Sequence, residues 1–206
     1  MKHTIALAQM NTRLGDVPAN LERHLALIAE AEAGGAELVL FPELSLTGYA
    51  LQDLAASVAA RPSKDDPTFG PLLEASRRLD LMVGFVDEDS RHRFYIASAY
   101  LSGGEVLHVH HKVYLPTYAL FDESRYFAWG DTVRAFDTRF GRVGMLICED
   151  FWHMSPAYLL WLDGADMLLL HSASPARGMS QAPFLASMQS FSQLASIYAG
   201  MFTCFV

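Results

Sequence analysis

One cysteine of this chain directly follows an apolar strand and precedes two acids. The strand is predicted over residues 142–147, and Cys148 is followed by Glu149 and Asp150. Catalytic groups of α/β proteins gather at the carboxyl ends of strands. A buried cysteine is more often a small hydrophobic residue, but this abrupt change of polarity favours a chemical role. Cys148 is therefore a candidate nucleophile, and a thiol needs a base or a positive charge nearby to act as one.

Two ionisable residues follow other predicted strands and could activate such a thiol. Glu43 comes after the strand 37–41 and a proline that stops it, and its neighbours are apolar. Burial suits a carboxyl group to proton transfer near neutral pH. Lys112 follows the strand 105–110, and an ammonium group there could hold a thiolate and stabilise an oxyanion. The sequence thus predicts a base, a cation and a nucleophile at three strand ends.

Histidine is the commoner partner of a catalytic thiol, and the chain has eight histidines. No local pattern joins one of them to Cys148, so a Cys–His hydrolase stays an alternative that requires a histidine beside the thiol in space. His108 and His110 share one face of a predicted strand and His111 lies on the other, without a third metal ligand at a suitable spacing. We expect structural histidines and no metal site. Cys204 lacks the features of Cys148 and is expected to be structural.

Composition and charge exclude several classes of protein. The 206 residues are 51% apolar and carry a net charge of −8, which suits a globular core and offers no cationic face for nucleic acid. No apolar run approaches the ~20 residues of a membrane-spanning helix. The two cysteines form no C-x-x-C pair, which argues against a disulfide framework or a thiolate zinc site. We expect a cytoplasmic protein without nucleic-acid or membrane partners.

Alternating strands and amphipathic helices are predicted to position these groups. A strand over residues 4–10, a helix from Asn20 to a stop at Gly34-Gly35, and the strand 37–41 indicate a sheet covered by helices. The other predicted elements are helices at 51–60, 69–79, 156–162 with Ser155 as N-cap, and 182–198; strands at 81–86, 166–170 and 201–206; hairpins at 94–110 and 132–147; and an aromatic loop at 113–130.

Three segments surround the candidate residues: Phe41-Pro-Glu43 with Thr47-Gly-Tyr49, His111-Lys-Val-Tyr-Leu-Pro116 and Gly144-Met-Leu-Ile-Cys-Glu-Asp150. Taken together and in this order, they resemble the nitrilase superfamily of carbon–nitrogen hydrolases, whose members use a Glu–Lys–Cys triad. The resemblance implies an α/β fold, a four-layer α-β-β-α sandwich of the nitrilase type, which forms homodimers or higher homo-oligomers and needs no metal or organic cofactor. It also implies that Glu43 is the base, Lys112 the oxyanion-stabilising cation and Cys148 the nucleophile.

Finer features are similar to the glutaminase domain of glutamine-dependent NAD synthetases. This resemblance implies that Glu123 is an additional active-site acid beside the lysine, and that Tyr118 and Glu149 hold substrate. It also points to Ser174 and Arg177, in the loop after the next strand, as substrate contacts. The segments that carry it are Thr47–Leu54, Leu115–Tyr118, Phe121–Phe127 and Cys148–Trp152.

The implied function is hydrolysis of a small amide, with glutamine the first to test, through a cysteine thioester and with release of ammonia. We expect residues 1–206 to form a single carbon–nitrogen hydrolase domain that lacks its C-terminal closing segment. The Ser-Gly-Gly-x-Asp-Ser loop of the synthetase half is absent, since Ser102-Gly-Gly104 continues into Glu105. Two alternatives stay open: the glutaminase part of a larger NAD synthetase, and a catalytically silent binding module of the same fold.

Overall fold

A five-stranded sheet forms the first of two units into which the chain divides, Met1–Asp131 and Thr132–Val206. The structure is a computed structural model that describes residues 2–174 and 186–206. No helix within these described ranges is long and apolar enough to cross a membrane.

The sheet of the first unit has the strand order β1-β2-β3-β4-β5. Its first three strands are parallel and are joined by helices, whereas β3, β4 and β5 form an antiparallel meander. The predicted hairpin at 94–110 is confirmed as the β4–β5 pair. The elements are β1 Ile5–Leu7, α1 Val17–Ala33, β2 Leu38–Leu40, α2 Ala55–Val58, α3 Phe69–Ala75, β3 Asp80–Glu88, β4 Phe94–Ser102 and β5 Glu105–His111.

Helix α1 begins three residues earlier than predicted. The Oδ1 of Asp16 accepts a hydrogen bond from the Ala19 N–H at 3.2 Å and caps the helix. Pro18 stands in the first turn, where its missing N–H costs nothing. The core of this unit is apolar on the helix-covered face of the sheet and includes Phe69 and Phe85, whose ring centroids lie 4.8 Å apart.

The second unit holds a three-stranded sheet in the order β6-β7-β8. Strands β6 and β7 form the predicted antiparallel hairpin, and β7 and β8 are parallel, connected through α4. Its core contains Leu146, Phe151, Leu160 and Tyr198. The elements are β6 Phe136–Thr138, β7 Gly141–Ile147, α4 Met154–Leu162, β8 Met167–His171 and α5 Ala186–Phe202.

Several predicted boundaries in the second unit are wrong. Helix α4 begins at Met154 with His153 as its N-cap, so Ser155 lies inside the first turn. The first two residues of the predicted strand 201–206 belong instead to α5, which ends at Phe202, and the ring centroid of Phe202 lies 5.6 Å from those of Tyr198 and Trp161. Beyond the helix, a single bridge joins Phe205 to Met167.

The remaining helix boundaries also differ from the sequence prediction. The predicted helix 51–60 is a 3-10 turn over Gln52–Leu54 followed by the short α2, and α3 ends at Ala75 instead of residue 79. The predicted start of the last helix, residues 182–185, lies outside the described residues.

Candidate active site

Glu43 lies in a tight turn directly after β2. Its side chain is completely buried, and the next residue, Leu44, has a left-handed backbone with φ of +50°. The turn lies flat against β3 because Gly84 has no side chain there. A Cβ on Gly84 would stand 2.5 Å from the Leu44 nitrogen and from the Pro42 oxygen. Both are backbone atoms, so only glycine permits this close approach.

Lys112 directly follows β5, and its backbone is fixed on both sides. Its N–H donates to the Ile96 carbonyl at 2.8 Å, and its carbonyl accepts from the Gly130 N–H at 2.7 Å. The side chain is completely buried, and Nζ donates to Glu43 Oε1 at 2.7 Å and to Glu123 Oε1 at 2.8 Å. A lysine tolerates such burial only with anionic partners. The structure therefore brings Glu43, Lys112 and Glu123 into one ionic group.

Glu123 begins a 3-10 turn, and its N–H donates to the Pro116 carbonyl at 3.1 Å. The Tyr49 hydroxyl donates a short hydrogen bond to the same Oε1 that meets Lys112. Burial raises the pKa of Glu123 from 4.5 to about 7, a rise that the Lys112 ammonium opposes and the Glu43 carboxylate assists. Oε2 of Glu123 is buried and has no hydrogen-bond partner among the described residues. This carboxyl group can therefore carry a proton near neutral pH.

A cavity of about 120 Å³ borders this carboxyl group within the first unit. That volume is large enough for several water molecules beside an oxygen that has no hydrogen-bond partner among the described residues. Its lining includes Tyr49, Gln52, Ile96, Glu123, Tyr126 and Phe127.

Cys148 lies in the second unit, directly after β7, and begins a 3-10 turn that runs to Trp152. Its backbone φ is +45°, in the left-handed region that residues with a Cβ rarely adopt. The Ser172 hydroxyl donates to Sγ at 3.2 Å, and Ser174 Oγ lies 3.9 Å from Sγ. Strain of this kind gathers at functional sites, and hydroxyl donors favour the charged form of a thiol.

Asp150 holds the turn that carries the thiol. Its side chain is fully buried, and Oδ2 accepts from the Ile147 N–H at 3.2 Å, so the carboxylate closes the turn back onto the end of β7. Sequence reasoning assigned Asp150 no role. Glu149 is oriented differently: its Oε1 lies 3.6 Å from His153 Nε2.

Two further residues at the site were missed from the sequence. Tyr49 was noted only as part of a motif, although it contacts Glu123. Ser172 follows β8 as Cys148 follows β7, and the parallel register pairs Ile147 with His171. Adjacent parallel strands end side by side, so the order of strands would have pointed to Ser172 had the β7–β8 pairing been known.

The substrate residues implied by resemblance are placed as follows. Tyr118 is 53% exposed, and its ring meets Phe121 edge to face with centroids 5.7 Å apart. Ser174 is exposed and also lies 2.9 Å from Ser172 Oγ. Arg177 lies outside the described residues. The structure therefore joins Ser174 to the thiol and leaves Tyr118 on an aromatic loop of the first unit.

The histidines of β5 have structural partners. His111 Nε2 lies 2.7 Å from Asp87 Oδ2, and its ring stacks on Tyr95 with centroids 4.1 Å apart. Burial lowers the pKa of His108 to about 4, with His110 and His111 adding to the effect. Within the described ranges 2–174 and 186–206, no cluster of three or more His, Cys, Asp or Glu side chains could hold a metal ion.

The raised pKa of Glu123 predicts a pH-dependent stability. Below about pH 4.5 the acid is protonated whether folded or unfolded; between 4.5 and about 7 only the unfolded chain ionises. The free energy of unfolding should therefore fall over this interval relative to Glu123→Gln, by about 2–3 kcal/mol, and level off above it. Urea denaturation of both proteins from pH 4 to 8 measures this difference. Other titrating groups are common to both proteins, so a difference that stays constant with pH would contradict the assignment.

Residues 4–206 match the protein family described as carbon–nitrogen hydrolase. The glutamine-dependent NAD(+) synthetase of Thermotoga maritima is 35% identical over 175 residues, which cover 83% of this chain and 30% of that protein. The solved structure of glutamine-dependent NAD+ synthetase from Acinetobacter baumannii, in complex with ADP, has a TM-score of 0.81 and 28% identity, covering 97% of this chain and 36% of that chain. The solved structure of Nit3 from Saccharomyces cerevisiae, a member of the nitrilase superfamily, has a TM-score of 0.80 and 22% identity, covering 98% of this chain and 73% of that chain.

These likenesses confirm the predicted fold class, the α-β-β-α sandwich of the nitrilase type. The chain spans about a third of the length of the curated relatives it matches. Its buried acid–lysine group and its strained, hydroxyl-contacted cysteine lie within the matched residues. The chain belongs to the carbon–nitrogen hydrolase family.

Proposed function

We propose that this protein hydrolyses the carbon–nitrogen bond of a small carboxamide through a cysteine thioester. The observation that carries the proposal is the completely buried Lys112 ammonium between the carboxylates of Glu43 and Glu123. Burying an ammonium group costs several kcal/mol even after relaxation. A preorganised cation of this kind is also a strong means of stabilising a developing oxyanion.

In the proposed reaction Glu43 accepts the proton of the Cys148 thiol, and the thiolate attacks the carboxamide carbon. The Lys112 ammonium and the Glu149 backbone N–H stabilise the oxyanion of the tetrahedral intermediate. The carbon–nitrogen bond breaks as the leaving nitrogen takes the proton from Glu43, which releases ammonia and leaves an acyl thioester. Water then attacks the thioester carbon and gives its proton to Glu43. The product acid leaves, and the thiol regains its proton.

The thiol end of the proposal is supported by its immediate surroundings. Ser172 already donates to Sγ, which favours the thiolate over the thiol. Asp150 fixes the turn by accepting the Ile147 N–H. Both contacts come from residues within the second unit, so the nucleophile is oriented by its own strand pair.

Glutamine is the substrate that we propose first. Relatives that are 34–35% identical to this chain are named glutamine-dependent NAD(+) synthetases, and this chain matches 30–31% of their length. We infer that this chain supplies a glutaminase activity of that kind, either alone or as part of a larger synthetase. Tyr118, Glu149, Ser174 and Arg177 are proposed to hold the substrate.

We further propose that a second copy of the chain covers the outer face of α4 and α5. Neither helix contains a charged residue. Both expose large apolar side chains, such as Leu159 at 48% and Ile197 at 50%. A Cβ added to Gly200 would have no atom of the described residues within 4 Å, so no contact among them explains a helical glycine there. An uncharged face is also where two chains of net charge −8 repel each other least.

Replacing Cys148 by Ala should abolish ammonia release from glutamine while the fold is kept, because no other group can form the thioester. Cys204→Ala is the matched control, since it removes the second thiol and should keep full activity. Coupled ammonia assays, with mass spectrometry of the acylated chain, measure both effects. Ammonia release that persists in Cys148→Ala would refute covalent catalysis. Inactivity of the wild-type chain on a panel of amides would favour the silent binding module.

Replacing Lys112 by Met should lower kcat by about 10²–10³, the effect of losing one oxyanion donor. It should also lower the free energy of unfolding by about 3–5 kcal/mol, because two buried carboxylates lose their cation. The double variant with Glu123→Gln separates the two effects: it should regain part of the stability and none of the rate. Steady-state kinetics below the melting temperature of each variant decide the point, and an unchanged kcat would remove Lys112 from the mechanism.

The proposed pairing through α4 and α5 predicts a dimer in solution. Ile197→Glu places two like charges at the symmetric contact and should give a monomer. Leu107→Glu on β5 is the control, because Leu107 is similarly exposed, at 44%, but lies in the first unit. Sedimentation equilibrium distinguishes the two states. A wild-type monomer, or dissociation caused equally by the control, would contradict this surface.

A further inference from the structure

Two buried polar side chains of α1 lie behind the loop that carries Glu43. Asn20 and His24 are one helical turn apart and are 2% and 0% exposed. Asn20 Nδ2 donates to the Arg13 carbonyl at 2.8 Å and to the Leu46 carbonyl at 3.0 Å, and Oδ1 accepts from the Arg13 N–H at 2.8 Å. Asn20 thus joins the segment after β1 to the Glu43 loop.

His24 reaches the same loop through its other ring nitrogen. Nδ1 lies 2.7 Å from the Asn20 carbonyl oxygen, which can only accept, so Nδ1 carries the proton. Nε2 is then an acceptor, and the Ser45 hydroxyl donates to it at 2.9 Å. Burial lowers the pKa of His24 to about 4, so the ring stays neutral and keeps this tautomer at neutral pH. The ring also stacks on Phe41, with centroids 4.2 Å apart.

Ser45 connects the helix to the sheet. With its own hydrogen donated to His24, Ser45 Oγ can accept the Gly84 N–H, which lies 3.4 Å away. The next residue, Leu46, donates its N–H to the Gly84 carbonyl at 3.0 Å. The loop is therefore attached to α1 on one side and to β3 on the other, within three residues of Glu43.

We propose that His24 and Ser45 are positioning residues, which hold the loop so that the Glu43 carboxylate meets the Lys112 ammonium. A buried polar network costs desolvation that apolar residues would avoid, so it needs a reason beyond stability. Here every partner of the His24–Ser45 pair lies on α1, on the Glu43 loop or on the strand beneath it. Because Glu43 is the base of the proposed function, this role rests on that function.

The test uses two substitutions in the full chain, Ser45→Ala and His24→Leu, each of which removes the contact. A shift of ~1 Å in a catalytic group costs ~10²-fold in rate, so kcat for glutamine should fall by about 10- to 100-fold. KM should stay within about twofold, because neither side chain touches substrate. His24→Gln keeps an acceptor facing Ser45 and should recover kcat to within about fivefold of the wild type.

Tyr100→Phe is the matched control. It removes another buried hydrogen bond of the same sheet, from the Tyr100 hydroxyl to Asp80 Oδ2 at 2.8 Å, away from the Glu43 loop. It should lower the melting temperature and leave kcat unchanged. A fall in kcat for Tyr100→Phe that equals that of Ser45→Ala would overturn the positioning role, as would an unchanged kcat in both Ser45→Ala and His24→Leu.

A crystal structure of Ser45→Ala separates this inference from the proposed function. The distance from Glu43 Oε1 to Lys112 Nζ should exceed the 2.7 Å of the wild-type chain. Failure of the wild type to release ammonia from any amide would refute the proposed function, and this distance would still decide the positioning role. An unchanged distance would overturn it.

Discussion

The ion pairs of Lys112 with Glu43 and Glu123 are the constraint on which the first unit depends. An ammonium group with no solvent contact is stable only if carboxylates meet it, and two do so at 2.7 and 2.8 Å. The two acids reach it from different parts of the chain, after β2 and after the aromatic loop. Lys112 can therefore be buried only if the turn at Glu43 and the 3-10 turn at Glu123 hold their carboxylates in place. Backbone contacts stabilise each turn separately, with Gly84 at the first and with the Pro116 carbonyl at the second.

The charge balance of this group is uneven, with one cation and two acids. A proton on Glu123 corrects the balance, and burial, assisted by the Glu43 carboxylate, raises the pKa of this residue to about 7. The Tyr49 hydroxyl donates to the same Oε1 of Glu123 that accepts from Lys112. The group can therefore gain or lose one proton near neutral pH while the ion pair between Lys112 and Glu43 is kept, as proton transfer by Glu123 would require.

Much of this arrangement was accessible from the sequence, and the rest depended on tertiary contacts. The placement of Glu43, Lys112 and Cys148 after strands was predicted from apolar runs that end in polar residues, and each does follow a strand. The hydrogen bond between His24 and Ser45 joins residues 21 positions apart, so the local sequence pattern could not predict it. The predicted strand 201–206 begins inside α5, where the ring of Phe202 stacks on those of Tyr198 and Trp161, and local sequence does not show these tertiary contacts.

The left-handed backbone at Cys148 bears on why a cysteine occupies this position. Glycine, or asparagine, would occupy such a conformation with less strain, and the difference is about 1 kcal/mol. A chain that only bound a ligand would gain stability from that exchange at no cost in function. A cysteine in this conformation is therefore kept at a cost in stability, and a relative with no use for the thiol should carry glycine or asparagine at this position.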